Sequence, residues 1–225
     1  MQTELKIRAS SIGKLMTEPK SKGEVLSVGA KTYLRELAAQ EILGIEFEVS
    51  SKEMEKGILC EADAIALVGR VRGLDLSKNA ERRQDEFFTG ECDVFEQTYR
   101  EGRDTKCSWS ARTFPICAAD CEDKLYEYQM RVYMRLWDAP RWHVDYVLLD
   151  TPEHLIGYEP VTLHFVSYIP EHMRLTTWTV ERDPEIEARM VEKVKHARAY
   201  YAQVVAEFDQ THAAAVVEQF EDVPA

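Results

Sequence analysis

The fold of this chain is decided by residues 87–109, FFTGECDVFEQTYREGRDTKCSW. The first nine and the last seven of these residues predict two short strands, and Gly102 between them predicts a turn. The stretch therefore predicts a β-hairpin with Asp93 on its first strand and with Asp104 and Lys106 on its second. Because residues two apart on a strand project to the same face, we expect Asp104 and Lys106 side by side.

Around this hairpin the chain alternates predicted helices and strands. Apolar residues at helical spacing predict the helices, Gly44 is a natural C-terminal cap, and Asp183 and Pro184 start a helix. The predicted helices cover 30–43, 51–68, 120–137 and 183 through 199 or further, and the other predicted strands cover 142–149, 162–168 and 175–180. This order predicts an α/β fold with a mixed central sheet covered by helices.

The charge distribution gives a first view of the partners. The 225 residues include 40 acidic and 28 basic side chains, a formal charge of −12, which argues against a protein coated in positive charge. Residues 1–35, however, hold seven basic and three acidic side chains. A local basic patch on an acidic body suits a protein that holds a polyanion at one place. The alternative is a solvated basic start without functional consequence.

Five cysteines, odd in number and irregularly spaced, indicate reduced thiols rather than a disulfide framework. Cys117 and Cys121 are closely spaced, and we expect plain buried or half-buried thiols there rather than metal ligands. No apolar run approaches the roughly 18 residues of a membrane helix, and the N-terminus lacks the apolar core of a signal peptide. We therefore expect a cytoplasmic protein with no membrane partner.

Asp93, Asp104 and Lys106 form the constellation that carries chemistry. Two carboxylates within about 4 Å repel each other unless a positive charge lies between them. A hard divalent cation meets that demand, and carboxylate ligands favour Mg²⁺ or Mn²⁺ over zinc. A lysine beside such a metal can orient or deprotonate the attacking water, while the metal neutralises charge on a phosphate. The pattern predicts a phosphodiester-hydrolysis site; the alternative is a surface ion pair on a hairpin.

The same residues resemble a known family. Asp93, followed eleven residues later by Asp104-Thr-Lys106, resembles the Asp…(Asp/Glu)-x-Lys signature of the restriction-endonuclease-like nucleases. Over about residues 6–150 the chain is similar to one branch of them, the lambda exonuclease and YqaJ-type viral recombination nucleases. The matching segments are Arg8-Ala-Ser10, Gly57 to Ala62, Thr89 to Asp93, Lys106 to Phe114 and Tyr128 to Met134.

The resemblance implies roles for the residues of the hairpin. Asp93 and Asp104 would bind Mg²⁺, or Mn²⁺, and the backbone carbonyl of Thr105 would complete the ligand shell. Lys106 would position the nucleophilic water. These roles imply a phosphodiester hydrolase that works with two metal ions.

Further roles follow from the matching segments outside the hairpin. Glu61 would reach a second metal ion or its water, and Gln129 would hold the active-site water or the scissile phosphate. On periodicity alone, both are ordinary helix-surface residues. Ser108 and Trp109, which follow Lys106 at the end of the predicted strand, are candidates for DNA contact, and Trp109 could stack on an unpaired base.

The resemblance also gives the N-terminal basic patch a role. In the family an Ala-Ser pair opens a helix near the bound 5′ phosphate, where hydroxyl, backbone N–H and arginine groups suit a phosphate dianion. Ser10, with Arg8, is the candidate here. The family usually has an arginine several residues before this serine, and this chain has none. Lys6, Lys14 and Arg112 therefore stay open beside Arg8 as the cation that binds the phosphate.

For the whole chain, the resemblance implies one nuclease domain of the restriction-endonuclease-like fold. Residues 1–50 would bind DNA and its 5′ phosphate, residues 51–182 would form the catalytic core, and residues 183–225 would form C-terminal helices. The implied activity is Mg²⁺-dependent degradation of the 5′-ended strand of linear duplex DNA, leaving a 3′ single strand for phage-type recombination. The implied assembly is a ring-shaped homotrimer, and the implied partner is a single-strand annealing recombinase.

Two alternatives remain open on the sequence. A RecB-like nuclease, or a related iron–sulfur nuclease, would place one cysteine upstream and three downstream of the nuclease motifs, and the last 100 residues contain none. A protein of another class, a non-catalytic DNA-end binder or scaffold, would not need the complete set of acids and lysine.

Overall fold

The structure is a computed structural model that describes residues 4–47 and 50–221, with side chains described as far as residue 213. The helices are α1 (Ile12–Leu15), α2 (Val28–Leu43), α3 (Lys52–Arg72), α4 (Lys124–Trp137), α5 (Glu153–Ile156) and α6 (Pro184–Glu221). The strands are β1 (Ile7–Arg8), β2 (Arg82–Gln84), β3 (Phe88–Glu91), β4 (Val94–Glu96), β5 (Glu101–Cys107), β6 (Arg141–Val147) and β7 (Leu175–Glu181). Short 3₁₀ turns cover Ala9–Ser11, Ala118–Cys121, Val161–Leu163 and Glu171–Met173.

The described residues fall into two compact units. The helical unit contains residues 4–5, 14–47 and 188–221, and the sheet unit contains residues 6–13 and 50–187. All strands that the structure describes belong to the sheet unit. The functional division of the chain at residues 50 and 182 stays a prediction.

The sheet unit contains two mixed sheets. In the larger one the strands lie in the order β4-β5-β6-β7. β5 and β6 are parallel and are joined by a crossover through α4, whereas β4 and β7 pair antiparallel with their neighbours. In the smaller sheet β1 is parallel and β2 antiparallel to the central β3. The expected α/β class, with mixed sheets flanked by helices, is confirmed.

Polar caps and left-handed glycines set the ends of the long helices. Ser27 and Ser51 accept hydrogen bonds from N–H groups in the first turns of α2 and α3. Gly44 and Gly73 end these two helices with φ of 65° and 67°. Asp123 caps α4, which therefore begins three residues after the cysteine-containing 3₁₀ turn instead of including it. The predicted helices are confirmed, and α3 and α6 run further than predicted.

The strand predicted at 162–168 is wrong. A 3₁₀ turn, Val161–Leu163, starts this segment, and the turns that follow contribute to neither sheet. The Asp150 carboxylate accepts hydrogen bonds from the N–H groups of Val166 and Ser167, at 2.5 and 2.9 Å. A side chain that takes these donors offers the backbone an alternative to a strand ladder.

The hairpin is present, but Gly102 does not form its turn. Val94–Glu96 pairs antiparallel with residues 101–103, so Gly102 lies within β5. Arg100 makes the turn instead, with φ of 55°. Gly102 is required for another reason, because a Cβ atom there would lie 2.1 Å from Cζ2 of Trp142.

Trp142 fills the centre of an aromatic cluster under the hairpin. Its side chain is fully buried. Its ring lies 6.1 Å from Phe95, 5.2 Å from Tyr133 and 6.1 Å from Trp137, measured between centroids. The cluster ties α4 to β4 and β6, the two neighbours of the strand β5 that carries Asp104. Among the described residues, no helix combines the length and apolar character needed to cross a membrane.

Replacing Gly102 with alanine is expected to destabilise the protein by about 2 kcal/mol, because the new methyl group would overlap the Trp142 ring. The free energy of unfolding in urea measures the effect. Gly57→Ala on α3 is the matched control, since a Cβ atom there meets nothing within 4 Å. This control is expected to gain about 0.5–1 kcal/mol from helix propensity. A Gly102→Ala variant as stable as the wild type would contradict the packing described.

Candidate active site

Asp93 and Asp104 meet beside the hairpin. Asp93 lies between β3 and β4, and Asp104 lies in the middle of β5. The Asp93 carboxylate accepts two hydrogen bonds from Thr105, from the backbone N–H at 2.7 Å and from the hydroxyl at 3.1 Å. β4 pairs with β5 as far as Arg103, so beyond that point Asp93 covers the edge of β5. Both carboxylates line an open cavity of about 600 Å³, which we call the acidic cavity.

Lys106 lies on the same wall of the acidic cavity. Its ammonium is 2.5 Å from Oδ2 of Asp104 and 4.7 Å from the centroid of the Tyr126 ring. Burial opposes the charge on Lys106, but the neighbouring Asp104 and Asp93 carboxylates outweigh it and raise the pKa of the ammonium. Lys106 is therefore held as a cation against two acids.

Asp104 is buried and incompletely satisfied. The residue is 1% exposed. Its Oδ1 accepts a long hydrogen bond from Gln129 Nε2 at 3.4 Å, whereas its Oδ2 accepts no hydrogen bond of normal geometry. The contact of Oδ2 with Lys106 is thus a charge pair without a well-directed hydrogen bond. Buried carboxylate oxygens in this state are costly unless a further positive group approaches them.

Gln129 is fixed from the opposite side by Tyr133. The Gln129 amide donates to the Tyr133 hydroxyl at 3.0 Å, and that hydroxyl donates to the backbone carbonyl of Glu91 at 3.0 Å. Both side chains lie on one face of α4 and line the acidic cavity. This chain of hydrogen bonds holds the amide against Asp104.

The carboxyl group of Asp93 has a pKa well above the ordinary value of an aspartate. Burial and the nearby charge of Asp104 raise its pKa to about 7, and Glu61 adds to the rise. Lys106 and the hydrogen bond from the Thr105 N–H act in the opposite direction. The metal-free site therefore binds a proton near neutral pH, which is one way to reduce repulsion between the two carboxylates.

Glu61 faces the acidic cavity from α3. Its carboxylate forms an ion pair with Lys78, whose side chain is 56% exposed. The hydrogen bond to Glu61 raises the pKa of Lys78, although burial opposes the rise, and Asp93 contributes to it. A positive charge from the protein thus already lies at the side of the cavity where Glu61 stands.

The acidic cavity fits a hard divalent cation held by few protein ligands. Among the residues that the structure describes, no three His, Cys, Asp or Glu side chains converge into a complete metal cage. Asp93 and Asp104 supply two carboxylates, one with an unsatisfied oxygen. The N–H and C=O of a strand residue point to the same edge, so the Thr105 carbonyl also faces Asp93. Mg²⁺ is commonly bound by one or two carboxylates while it keeps several waters.

A second cavity of about 150 Å³, which we call the basic cavity, contains the N-terminal candidates Arg8 and Ser10. Arg82 of β2 lines it as well and forms an ion pair with Glu91 at 3.0 Å. Tyr133 lines both this cavity and the acidic cavity, so the two cavities share one side chain. Two arginines and a hydroxyl group therefore lie next to the buried acids.

The other DNA-contact candidates have different surroundings. Ser108 and Trp109 line the acidic cavity, and both are largely buried. The Trp109 indole N–H donates to Glu159 at 2.8 Å, so the ring is packed in place. Arg112 is exposed and lines neither cavity.

Lys6 and Lys14 do not line either cavity. Lys6 is half-buried immediately before β1 and is not part of the lining of either cavity. Lys14 belongs to the helical unit, where its ammonium lies 5.0 Å from the centroid of the Tyr33 ring. Cys117 is exposed and Cys121 is buried; both are free thiols.

Three side chains that line the cavities beside the assigned residues had no role assigned from the sequence. They are Tyr126, Tyr133 and Arg82. The two tyrosines lie three residues before and four residues after Gln129, a spacing that places all three on one helix face. That spacing was a usable signal. Arg82 gave a weaker one, a basic pair with Arg83 in an otherwise acidic part of the chain.

Known proteins similar to this chain are found among the solved structures. No family model matches the chain, and no curated protein matches it. Among solved structures, it is similar to a phage-related exonuclease from Haemophilus somnus 129PT, with 38% sequence identity, a TM-score of 0.86, and coverage of 91% of this chain and 97% of that one. It also has the fold of an alkaline exonuclease, LHK-Exo, from Laribacter hongkongensis, with 19% identity, a TM-score of 0.65, and coverage of 94% and 93%. LHK-Exo in complex with dAMP gives 20% identity and the same TM-score of 0.65 over 94% and 93% of the two chains.

The pKa of Asp93 predicts a pH-dependent cost of folding in the metal-free protein. An acid with a raised pKa in the folded state binds its proton more tightly there than in the unfolded state. Stability therefore falls as the pH rises from about 4, the ordinary value, to about 7. Asp93→Asn removes this cost and is expected to gain about 1–3 kcal/mol over the wild type at pH 8, and less at pH 5.

Urea unfolding at the two pH values, with a chelator present, measures this difference. Asp75→Asn, at an exposed position, shows the effect of removing one surface charge. A gain from Asp93→Asn that is equal at pH 5 and pH 8, or no gain at either, would contradict the raised pKa.

Proposed function

This chain belongs to the lambda exonuclease and YqaJ-type family of phage exonucleases and is an exodeoxyribonuclease; we propose that it is Mg²⁺-dependent and degrades the 5′-ended strand of linear duplex DNA. The observation that carries the proposal is the convergence of Asp93, Asp104 and Lys106 on one cavity, with Asp104 almost fully buried and its Oδ2 paired with the Lys106 ammonium. The resemblance seen in the sequence is confirmed by the similar exonuclease. A non-catalytic end binder is thereby set aside.

The proposed mechanism assigns a task to each side chain of the acidic cavity. Asp93 and Asp104, with the carbonyl of Thr105, would hold Mg²⁺, and Mn²⁺ would fit the same oxygen ligands. When bound, the ion supplies positive charge at the scissile phosphate and makes a nearby water a stronger acid. Lys106 would orient that water, since its ammonium is fixed beside Asp104.

Glu61 and Gln129 would complete the reaction site. Gln129 is aimed at Asp104 by Tyr133, and its amide can donate to the attacking water or to an oxygen of the scissile phosphate. Glu61 would serve a second ion, and Lys78 would have to release it first. Glu61 approaches the cavity from α3 and Gln129 from α4, and both helices pack against the sheet.

The basic cavity would bind the 5′ phosphate of the DNA end. Arg8 and Arg82 supply two guanidinium groups, and Ser10 supplies a hydroxyl, a set of donors that suits a phosphate dianion. Arg82 would provide the second cation from β2, in place of the arginine that the family has several residues before the serine. Because Tyr133 separates this cavity from the acids, a terminal nucleotide could place its phosphate in one cavity and its 3′ linkage in the other.

The proposed biological role is phage-type recombination. Removal of the 5′-ended strand leaves a 3′ single strand, which is the substrate of a single-strand annealing recombinase. We propose such a recombinase as the partner, with the acidic C-terminal segment as one docking surface. Both points rest on the family resemblance.

A digestion assay with defined ends tests the polarity and the metal dependence. With Mg²⁺, a linear duplex with 5′ phosphates is expected to be degraded about tenfold or more faster than one with 5′ hydroxyls, since hydrogen bonds to a charged group contribute about 1.5–3 kcal/mol. A closed circle is expected to survive, and a chelator is expected to stop the reaction. Release of a label from the 5′ end before the 3′ end reports the polarity. Equal digestion of all three DNAs, or none with Mg²⁺, would contradict the proposal.

Two variants connect this assay with the two cavities. Lys106→Ala is expected to abolish turnover while the protein stays folded, and Lys124→Ala, at an exposed position of α4, is the matched control. Arg82→Ala is expected to reduce the preference for a 5′ phosphate while digestion of 5′-hydroxyl ends continues. Full activity of Lys106→Ala would remove the assigned site.

The assembly is open to a separate measurement. A ring-shaped homotrimer that encloses the DNA would prevent dissociation between successive cleavages. Light scattering is then expected to give about three times the chain mass of 26.0 kDa. A mass of one chain at micromolar concentration would contradict the trimer and leave the proposed chemistry in place.

A further inference from the structure

Lys56 of α3 is a fully buried lysine outside the set of residues assigned so far. Its ammonium donates to three backbone carbonyls, those of Ser108 at 2.7 Å, Trp109 at 3.0 Å and Leu149 at 2.9 Å. An ammonium group has three donors, so all of them are used. The side chain is therefore held in one position by three directed contacts.

This arrangement is expensive if packing is the only purpose. Burial lowers the pKa of Lys56, because the charged form loses its water. Among the described residues, Lys56 has no carboxylate close enough for an ion pair. An apolar side chain of similar length would avoid this cost but would leave the carbonyls of Ser108 and Leu149 without this donor. What the ammonium adds is the ability to hold three carbonyls at fixed distances.

The three carbonyls belong to the part of the sheet that carries the acidic cavity. Ser108 and Trp109 directly follow the last residue of β5, Cys107, and Leu149 lies just after the end of β6. Lys56 itself lies five residues before Glu61 on the same helix. One side chain thus joins the helix that presents Glu61 to the strand that presents Lys106.

The backbone at Ser108 and Trp109 is also held by a second hydrogen-bond donor. Thr151 donates its hydroxyl to the Trp109 carbonyl at 3.0 Å, the atom that also accepts from Lys56. The Trp109 indole is held by Glu159. Ser108, between these contacts and Lys106, has a buried hydroxyl without a hydrogen-bond partner and lines the acidic cavity. The backbone here is fixed more tightly than the cavity wall alone requires.

We propose that Lys56 is a positioning residue for the exonuclease reaction: its ammonium sets Glu61, Lys106 and the Ser108 hydroxyl at their working distances. The inference rests on the proposed function of the acidic cavity. Its effect falls on turnover, because errors of about 1 Å in the placement of reacting groups can cost about 100-fold in rate. DNA-end binding in the basic cavity depends on other residues and is unaffected.

Lys56→Met is the primary test, since it keeps the length and removes the three donors. With 5′-phosphorylated linear duplex and Mg²⁺, kcat is expected to fall about 100-fold, while KM and the Kd for DNA ends measured with Ca²⁺ stay within about threefold. Lys193→Met is the matched control. Lys193 is also buried, at 8% exposure, and donates to a single carbonyl, that of Thr17 at 2.9 Å, in the helical unit. This control is expected to keep kcat.

Chemical rescue separates positioning from a general loss of stability. Lys56→Ala leaves a space that a small amine can enter, and ethylammonium chloride is expected to raise the kcat of this variant about tenfold. The same salt is expected to leave the wild type and Lys193→Ala unchanged. If Lys56→Met does not fold, Lys56→Gln replaces it, because the amide can donate to two carbonyls and should give an intermediate kcat.

The outcomes distinguish the positioning role of Lys56 from the proposed function of the acidic cavity. A folded Lys56→Met variant with the kcat of the wild type, or a loss of kcat that ethylammonium does not restore, would overturn the positioning role. A rise in KM with unchanged kcat would do the same. A wild type without Mg²⁺-dependent digestion would overturn the proposed function instead. Faster hydrogen exchange at Ser108 and neighbouring amides in Lys56→Met than in the wild type would show that the three hydrogen bonds of Lys56 hold this backbone segment, whichever of these results is found.

Discussion

Repulsion between the Asp93 and Asp104 carboxylates is the constraint on which the rest of the sheet unit depends. Two acids of one sign, one of them almost fully buried, would separate if the chain allowed it. The chain prevents this with Thr105, which binds Asp93 to the edge of β5, and with Lys106, which balances Asp104. The site thus keeps two like charges close together, and the pKa of Asp93 is raised first by burial and then by the charge of Asp104.

Helices α3 and α4 respond to this constraint from opposite directions. α4 presents Gln129, whose amide partly satisfies Asp104 and is itself fixed by Tyr133. α3 presents Glu61 and, through Lys56, attaches itself to the backbone that follows the catalytic strand. The crossover from β5 through α4 to β6 makes the first arrangement a consequence of topology. The second adds the hydrogen bonds of one buried ammonium to the packing of α3 against the sheet.

Much of this could be predicted from residues close together in the chain. Helical spacing and capping residues gave the long helices, and two strand-like segments around a turn signal gave the central hairpin. Two of the failures involve contacts between distant residues. Asp150 takes the N–H donors of the segment predicted as a strand at 162–168, and Trp142 explains Gly102, which had been assigned to a turn. The pairing of β2 with β3, which brings Arg82 to the basic cavity, is in contrast a local contact across residues 85–87 that the sequence interpretation missed.

Salt is expected to act on the site in two opposite ways, one through the ion pair between Glu61 and Lys78 and one through the arginines of the basic cavity. The pair is partly exposed, so dissolved ions weaken it and would free Glu61 for the proposed metal ion. The proposed contacts of Arg8 and Arg82 with a DNA phosphate would weaken under the same conditions. Ionic strength therefore assists one step and opposes the other. The enzyme should work best at an intermediate salt concentration, and removing the charge of Lys78 should move that optimum towards lower salt.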